Sequence, residues 1–495
     1  MTKGQRYLTY QMVSDFVEAA LGRAPEVEYS FIENGGNSIE ATIVAASAGE
    51  GLKCHIDPTE FLTEIPLSEL RVSVYDLDEG FARGTDEVAL HSNHLSMLNR
   101  NRRSFIRFGV KLPANVGISD VSIALSRLIE SQPSMNLNFN RIDNGYELAH
   151  SQVGFHIHDH MTSVARDFNS VSIDLMNESI SDEQTASFAL VFDGQDRWLI
   201  CAVDHLIFDD ESISLFSDIL IGILNGDKPT SRSIVDYQEL VRRDAWQAAL
   251  RREDDLAYWR KVQRSVGLNP GVRGDFEPSY VMPVSAMIYD IVTELDIAKF
   301  VRLQANGLRN TSFSVYCALV LFAIARSQSP SLHVEGFNTA FSRRGLIGGS
   351  QEIGSWAEIL TIALEDTSNA DWIETVEMVG NSVRNATAHA QIPRSEIVAE
   401  LADSTGESLH ANLPIWIAPP AFIYETASAL EDSKLYERYD QNPKNALRFY
   451  SGLSISMMSD GRTIRLETGD GEMSREALIN IGYSFNELVS TLIHD

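Results

Sequence analysis

The chain has 495 residues, 44% of them apolar, a net charge of -29 and three cysteines. That composition supports roughly two to four packed units and excludes disorder throughout. Its acidity argues against nucleic acid or an anionic membrane face as partner.

Residues 1–72 read as a small helical unit. Val13, Phe16, Val17 and Ala20 recur at helical spacing, and Gly22 follows as a stop. A loop from Pro25 to Gly36 leads to a second helix near Ser38, and a short third segment, Thr59 to Leu70, is interrupted at Pro66. Acidic, glycine-punctuated text over 73–93 reads as a linker. The remainder mixes strands and helices, with strands at Ala189–Phe192 and Trp198–Val203 joined by Asp193-Gly194-Gln195-Asp196. A helix carrying Ile213, Phe216, Leu220 and Leu224 ends at Asn225-Gly226. Thr311–Arg326 is apolar on most faces and reads as a buried helix. Strands are expected over Leu447–Met458 and Thr463–Thr468, and a closing helix over Glu476–Ile493. The start of the chain lacks a signal-peptide core, and the run Phe313–Ala325 is too short to span a bilayer. Cys54, Cys201 and Cys317 form neither a disulfide framework nor a metal-ligand spacing, so a reducing, cytoplasmic location is expected.

Two constellations carry possible chemistry. In Phe31-Ile32-Glu33-Asn34-Gly35-Gly36-Asn37-Ser38 a serine stands where a helix begins, behind a glycine pair that allows a tight turn. Free N–H groups and the helix dipole favour a phosphodiester there, while a plain N-cap serine explains the same residues. In Asp204-His205-Leu206-Ile207-Phe208-Asp209-Asp210 a histidine follows directly on a strand. Imidazole titrates near neutrality and suits proton transfer, although His-x-x-x-Asp alone also fits a structural histidine. The alternating His156-Ile157-His158-Asp159-His160 reads as a polar edge strand rather than a zinc site, because no second donor cluster accompanies it. Cys201 reads as a buried apolar residue.

The segment from about Tyr7 to Leu70 resembles the carrier domains of nonribosomal peptide synthetases, on Phe31, Gly35, Gly36 and Ser38 in order and spacing. Asn37 departs from the usual His or Asp. The resemblance implies a small four-helix bundle with 4′-phosphopantetheine on Ser38, attached by a phosphopantetheinyl transferase. The segment from about His94 onward resembles the condensation domains of the same synthetases, of the chloramphenicol-acetyltransferase-like superfamily. Their His-His-x-x-x-Asp-Gly signature is matched by His205 and Asp209. Tyr258-Trp259-Arg260, Gly336 to Arg343, Ile353-Gly354 and Ala388-His389 to Pro393 fit later segments in order. This implies two α/β lobes, 94–268 and 269–495, with His205 catalytic and Asp209 structural, paired with Arg343. Asp204 and Asp210 replace the first His and the Gly, Met135–Phe139 lacks the family's arginine, and Phe422–Thr426 has Thr where Asn is usual.

Carboxylates at 204 and 210 would favour the protonated imidazole or hold a cationic acceptor; turned outward or capping a helix, they would do neither. The reading that follows is a carrier–condensation didomain joining a donor thioester on Ser38 to an amine. A separate adenylation enzyme or an upstream synthetase module would load Ser38. The acceptor would be a downstream carrier protein's amine or a free amine. No metal is implied. The alternatives are an inactive platform recruiting partner enzymes, or an ester-forming or cyclising variant.

Overall fold

A computed structural model describes the chain except residues 1–4, 77–93, 99–104, 151–156, 161–170, 178–183, 230–233, 266–285, 328–334, 345–351, 365–369, 402–414, 419–434, 437–452 and scattered other positions. The expected linker therefore lies largely outside the described residues, as do Asn37, His156 and Phe422–Thr426.

The N-terminal unit holds β1 (Gln5–Thr9), α1 (Tyr10–Leu21), α2 (Ser38–Leu52), β2 (Cys54–Ile56) and β3 (Arg71–Asp76), with short 3-10 turns at Pro58–Phe61 and Leu67–Glu69. The two helices stand where the sequence places them. Among the described residues no four-helix bundle is seen: the expected short helix over Thr59–Leu70 is replaced by the two 3-10 turns, and β3 sits between β1 and β2 in an antiparallel sheet. The cause is visible at Val72 and Val74, both buried, which alternate with the more exposed Arg71 and Ser73. That period of two suits a strand with one face on a core. Leu8, Val13, Val17, Phe31, Ala41, Val44 and Phe61 complete this core. Strand β3 runs on to Asp76.

The second lobe begins with β4 (Phe105–Leu112) and α3 (Ile118–Ser131). The hairpin β5 (Leu137–Ile142) and β6 (Gly145–His150) follows, then β7 (Ile157–His160), β8 (Ala186–Asp193) and β9 (Asp196–Asp204). Helices α4 (Asp210–Leu224) and α5 (Ile234–Ser265) close it. Gly226, at φ 99°, ends α4 as its place after Asn225 requires.

The third lobe comprises β10 (Ala286–Val292), α6 (Ile297–Gly307), α7 (Ser312–Arg326), β11 (Gly336–Ser342), β12 (Ala357–Ala363) and α8 (Trp372–Ala388). It continues with β13 (Ile415–Ile417), β14 (Leu435–Tyr436), β15 (Leu453–Met457), β16 (Thr463–Gly469) and α9 (Arg475–His494). Its sheet runs β10-β16-β15-β13-β11-β12, and α7, capped by Thr311 and buried on most faces, lies in its core. The other large sheet runs β14-β4-β9-β8-β7. Strand β14 thus crosses from the third lobe to extend the second lobe's sheet, pairing Leu435 with Val110. No single helix among the described residues is long and apolar enough to cross a membrane.

The long helix α5 ties the units together. Trp259 Nε1 donates to the His389 carbonyl at 2.8 Å, and Tyr258 stacks on the His389 ring at 4.2 Å. The N-terminal unit docks on α5 and the third lobe through Asp57, which accepts from Arg251 at 2.8 Å and from Gln391 Nε2 at 2.7 Å. Glu33 accepts from Arg309 at 3.2 Å, and the Arg309 guanidinium lies over the Tyr29 ring at 4.1 Å.

Asp255 of α5 is fully buried. Burial pushes its carboxyl up to about 6, against the pull of Arg251 3.9 Å away. A carboxyl raised in the folded state keeps its proton between the ordinary 3.8 and about 6 while the unfolded chain loses it, so stability falls as pH rises across that window and the full cost is present above it. Asp255→Asn is therefore expected to stabilise the protein at pH 8, by about 1–2 kcal/mol, and to change little at pH 4. Thermal unfolding at the two pH values tests this; an equal shift at both would remove the titration argument.

Candidate active site

Strand β9 delivers His205 to a turn between β9 and α4. The Asp204 amide donates to the Thr185 carbonyl at 2.8 Å, and the Ile207 amide to the Asp204 carbonyl at 3.1 Å. Asp204 itself is buried, and its Oδ1 accepts from the Leu206 amide at 3.0 Å. That carboxylate is thus engaged in shaping the turn, whereas Asp210, the first residue of α4, is exposed.

His205 is half-buried, and the Phe208 carbonyl lies 2.7 Å from its Nδ1. A carbonyl only accepts, so Nδ1 carries the proton in this contact. The neutral ring then has its lone pair on Nε2, the atom that can accept a proton. Phe208 in turn is locked among Phe108, at 5.4 Å, and Phe216. The carbonyl that orients the imidazole is therefore itself held by core packing.

Asp209 is fully buried and caps α4. Its Oδ1 accepts from the Ser212 amide at 2.9 Å, Ser212 Oγ at 2.8 Å and Arg344 Nη2 at 2.7 Å. Its Oδ2 accepts from Arg344 Nη1 at 2.8 Å and from the amides of Trp356 and Ala357 at 2.9 and 3.0 Å. Burial alone would raise this carboxyl; the Arg344 charge and the hydrogen bonds from Arg344 and Ser212 outweigh it and hold it below its ordinary value.

The expected partner, Arg343, is not the one used. Arg343 donates to Asp244 of α5 from Nε at 3.0 Å and to the carbonyls of Ala390 and Gln391, both at 2.7 Å. Both arginines lie just past the end of β11, where the extended backbone stops, and they reach different carboxylates. Arg344 went unnoticed in the sequence because the alignment of motifs stopped one residue earlier; the Arg343-Arg344 doublet was the available signal. Ser212 and Trp356 were also missed. Ser212 Oγ accepts from the Gly354 amide at 3.1 Å, and the Ile353 amide donates to Gln132 Oε1 at 3.0 Å. The segment 352–357 is thereby stitched to the lobe that carries His205.

Ser38 is the first residue of α2, as expected, and Gly35 before it takes φ 87°. The Cβ position of Gly35 lies 3.4 Å from Asn306 of α6, so this turn faces the third lobe. The serine at a helix start fits a phosphodiester; the sheet around it does not fit a four-helix carrier domain. Ile157–His160 forms β7, parallel to β8, and no group of metal-ligating side chains occurs among the described residues. Cys54, Cys201 and Cys317 are free and buried, and burial pushes the Cys201 thiol up, away from the reactive thiolate.

Comparison with protein families matches none, and no curated protein matches the chain. Solved structures do match in fold. The X-domain from teicoplanin biosynthesis is 13% identical with a TM-score of 0.61, covering 84% of this chain and 97% of that one. VibH, a nonribosomal peptide synthetase condensation enzyme, is 13% identical with a TM-score of 0.61, over 82% and 97%. The epimerization domain from the third module of tyrocidine synthetase B is 14% identical with a TM-score of 0.59, over 84% and 99%. The chain therefore has the fold of condensation-type domains.

Proposed function

We propose that this chain is a condensation-type acyltransferase that forms an amide from an acyl thioester and an amine. The observation that carries the reading is the tautomer held at His205, with Nδ1 bound to the Phe208 carbonyl and Nε2 left as the basic atom. A thioester is already activated, so the protein must chiefly hold the amine near the carbonyl carbon and accept its proton. Nε2 accepts that proton as the C–N bond forms, and the thiolate leaves as the C–S bond breaks. Asp209 takes no proton in this scheme: it fixes the start of α4 and the 352–357 segment. The test is condensation of a panel of carrier-bound and free amines with acyl thioesters, comparing wild type and His205→Ala.

A donor arm on Ser38 is a separate proposal, supported by the serine at the start of α2 and opposed by the three-stranded sheet. If Ser38 is the 4′-phosphopantetheine site, intact-protein mass spectrometry after incubation with coenzyme A and an active phosphopantetheinyl transferase will show one added arm, absent in Ser38→Ala. An unchanged wild-type mass, with the transferase active on another carrier, would mean that the donor comes from a separate protein. Adenylation and carrier partners would then act wholly in trans.

The recruiting platform is the second reading. It is favoured by Asp204, buried in the turn where a catalytic signature has His, and by a related fold solved as the complex of the X-domain and OxyB. Turnover lost on His205→Ala separates it from the acyltransferase reading, since a platform would be indifferent to that change.

A further inference from the structure

One carboxylate joins the N-terminal unit to both α5 and the segment after α8. Asp57 is buried, and its two oxygens have different tasks. Oδ1 accepts from the amide and hydroxyl of Thr59, at 2.9 and 2.7 Å, and shapes its own turn. Oδ2 reaches out of the unit to Arg251 of α5 at 2.8 Å and to Gln391 Nε2 at 2.7 Å. Gln391 is itself buried, and its backbone carbonyl accepts from Arg343 Nη2 at 2.7 Å. Arg343 is the chain neighbour of Arg344, which clamps Asp209 at the foot of the His205 turn. Asp244, holding Arg343, lies on the same helix as Arg251, so the link is closed twice.

We propose that the N-terminal unit is a positioning element for the His205 turn, acting from Asp57 through Gln391 and the Arg343-Arg344 pair onto Asp209. The unit is then a seated part of the site rather than a shuttling one. Each joint is a short polar contact between buried groups, and a buried arginine cannot shift without exposing or orphaning its carboxylate. The two-carboxylate, two-arginine arrangement allows little slack. Removing the Asp57 contact frees the 389–393 segment, and with it the carbonyls that anchor Arg343. The proposal concerns how the turn is held, so it stands whether the chain is an acyltransferase or a platform.

The experiment is hydrogen exchange on the full chain, comparing wild type, Asp57→Asn and Gln391→Ala. Asp57→Asn keeps an oxygen for Thr59 but turns an amide group toward Arg251 and Gln391. Gln391→Ala leaves the N-terminal unit untouched and removes only the side chain that meets Asp57. The expected result in both is about tenfold faster exchange at the amides of Ser212, Trp356 and Ala357, which Asp209 binds, with β8 and β9 unchanged. Unchanged exchange at those amides in Gln391→Ala, with faster exchange confined to residues 54–62, overturns the proposal. So does uniform acceleration that includes β8 and β9, because it would mean only a global loss of stability. Should Asp57→Asn fail to fold, Gln391→Ala alone decides.

Discussion

His205→Ala is expected to preserve the fold and abolish most product formation, by about 10²–10⁴-fold in kcat, if Nε2 accepts the amine proton. The expected size follows from the contact that orients the ring: with Nδ1 held by the Phe208 carbonyl at 2.7 Å, Nε2 is the basic atom. Little stability should be lost, since His205 is only half-buried and its backbone belongs to the turn rather than to the sheet. Steady-state kinetics with a thioester donor and an amine acceptor measure this, with circular dichroism to follow the fold. A loss below about tenfold, which is only about 1.4 kcal/mol, would assign the histidine to positioning instead of proton transfer. A kcat independent of pH across the imidazole range in the wild type would argue the same way.

Arg344→Ala should be among the most destabilising single changes, at about 3–5 kcal/mol, because it leaves Asp209 charged and buried without its counter-ion. Arg344 is fully buried and also binds the carbonyls of Glu352 and Gly354, at 2.9 Å each. Soluble yield and urea unfolding of Arg344→Ala and Asp209→Asn are the measurements. A loss under about 1 kcal/mol in Arg344→Ala would show that the cluster tolerates an unpaired carboxylate, and would undo its assigned role. The pair also sets an acid limit. Asp209 is held below its ordinary value in the folded protein, so its contribution is complete above about pH 4 and is lost as pH falls through the folded value. Asp209→Asn should flatten that acid limb, whereas Asp255, raised instead of lowered, acts on the neutral side.

Much of the fold was legible along the chain because its signals are local. Leu199 to Val203 are buried residues in an unbroken apolar run, as a strand covered on both faces requires. Thr311 caps α7, and Asn225-Gly226 closes α4, both by short-range hydrogen bonding that spacing alone reveals. The N-terminal unit was misread at one place for an instructive reason. The acidic, punctuated text that follows Val72 reads as linker, although Val72 and Val74 alternate in the period of a strand. A strand of six residues is stable only beside partners, and those partners, β1 and β2, lie far away along the chain.

By itself, the amino-acid sequence determined the mixed α/β character, the strands and helix around His205, the turn that carries it and the helix start at Ser38. Each of these rests on residues within one or two turns of one another, where patterning and capping act directly. Only the tertiary structure decided which arginine meets Asp209, that Asp204 is spent on the turn, and that Asp57 joins the N-terminal unit to α5. Those choices depend on how the chain leaves β11 and on contacts between residues 99 to 194 positions apart. A buried charge takes whichever partner the packing presents, and packing is a property of the assembled lobes rather than of any segment.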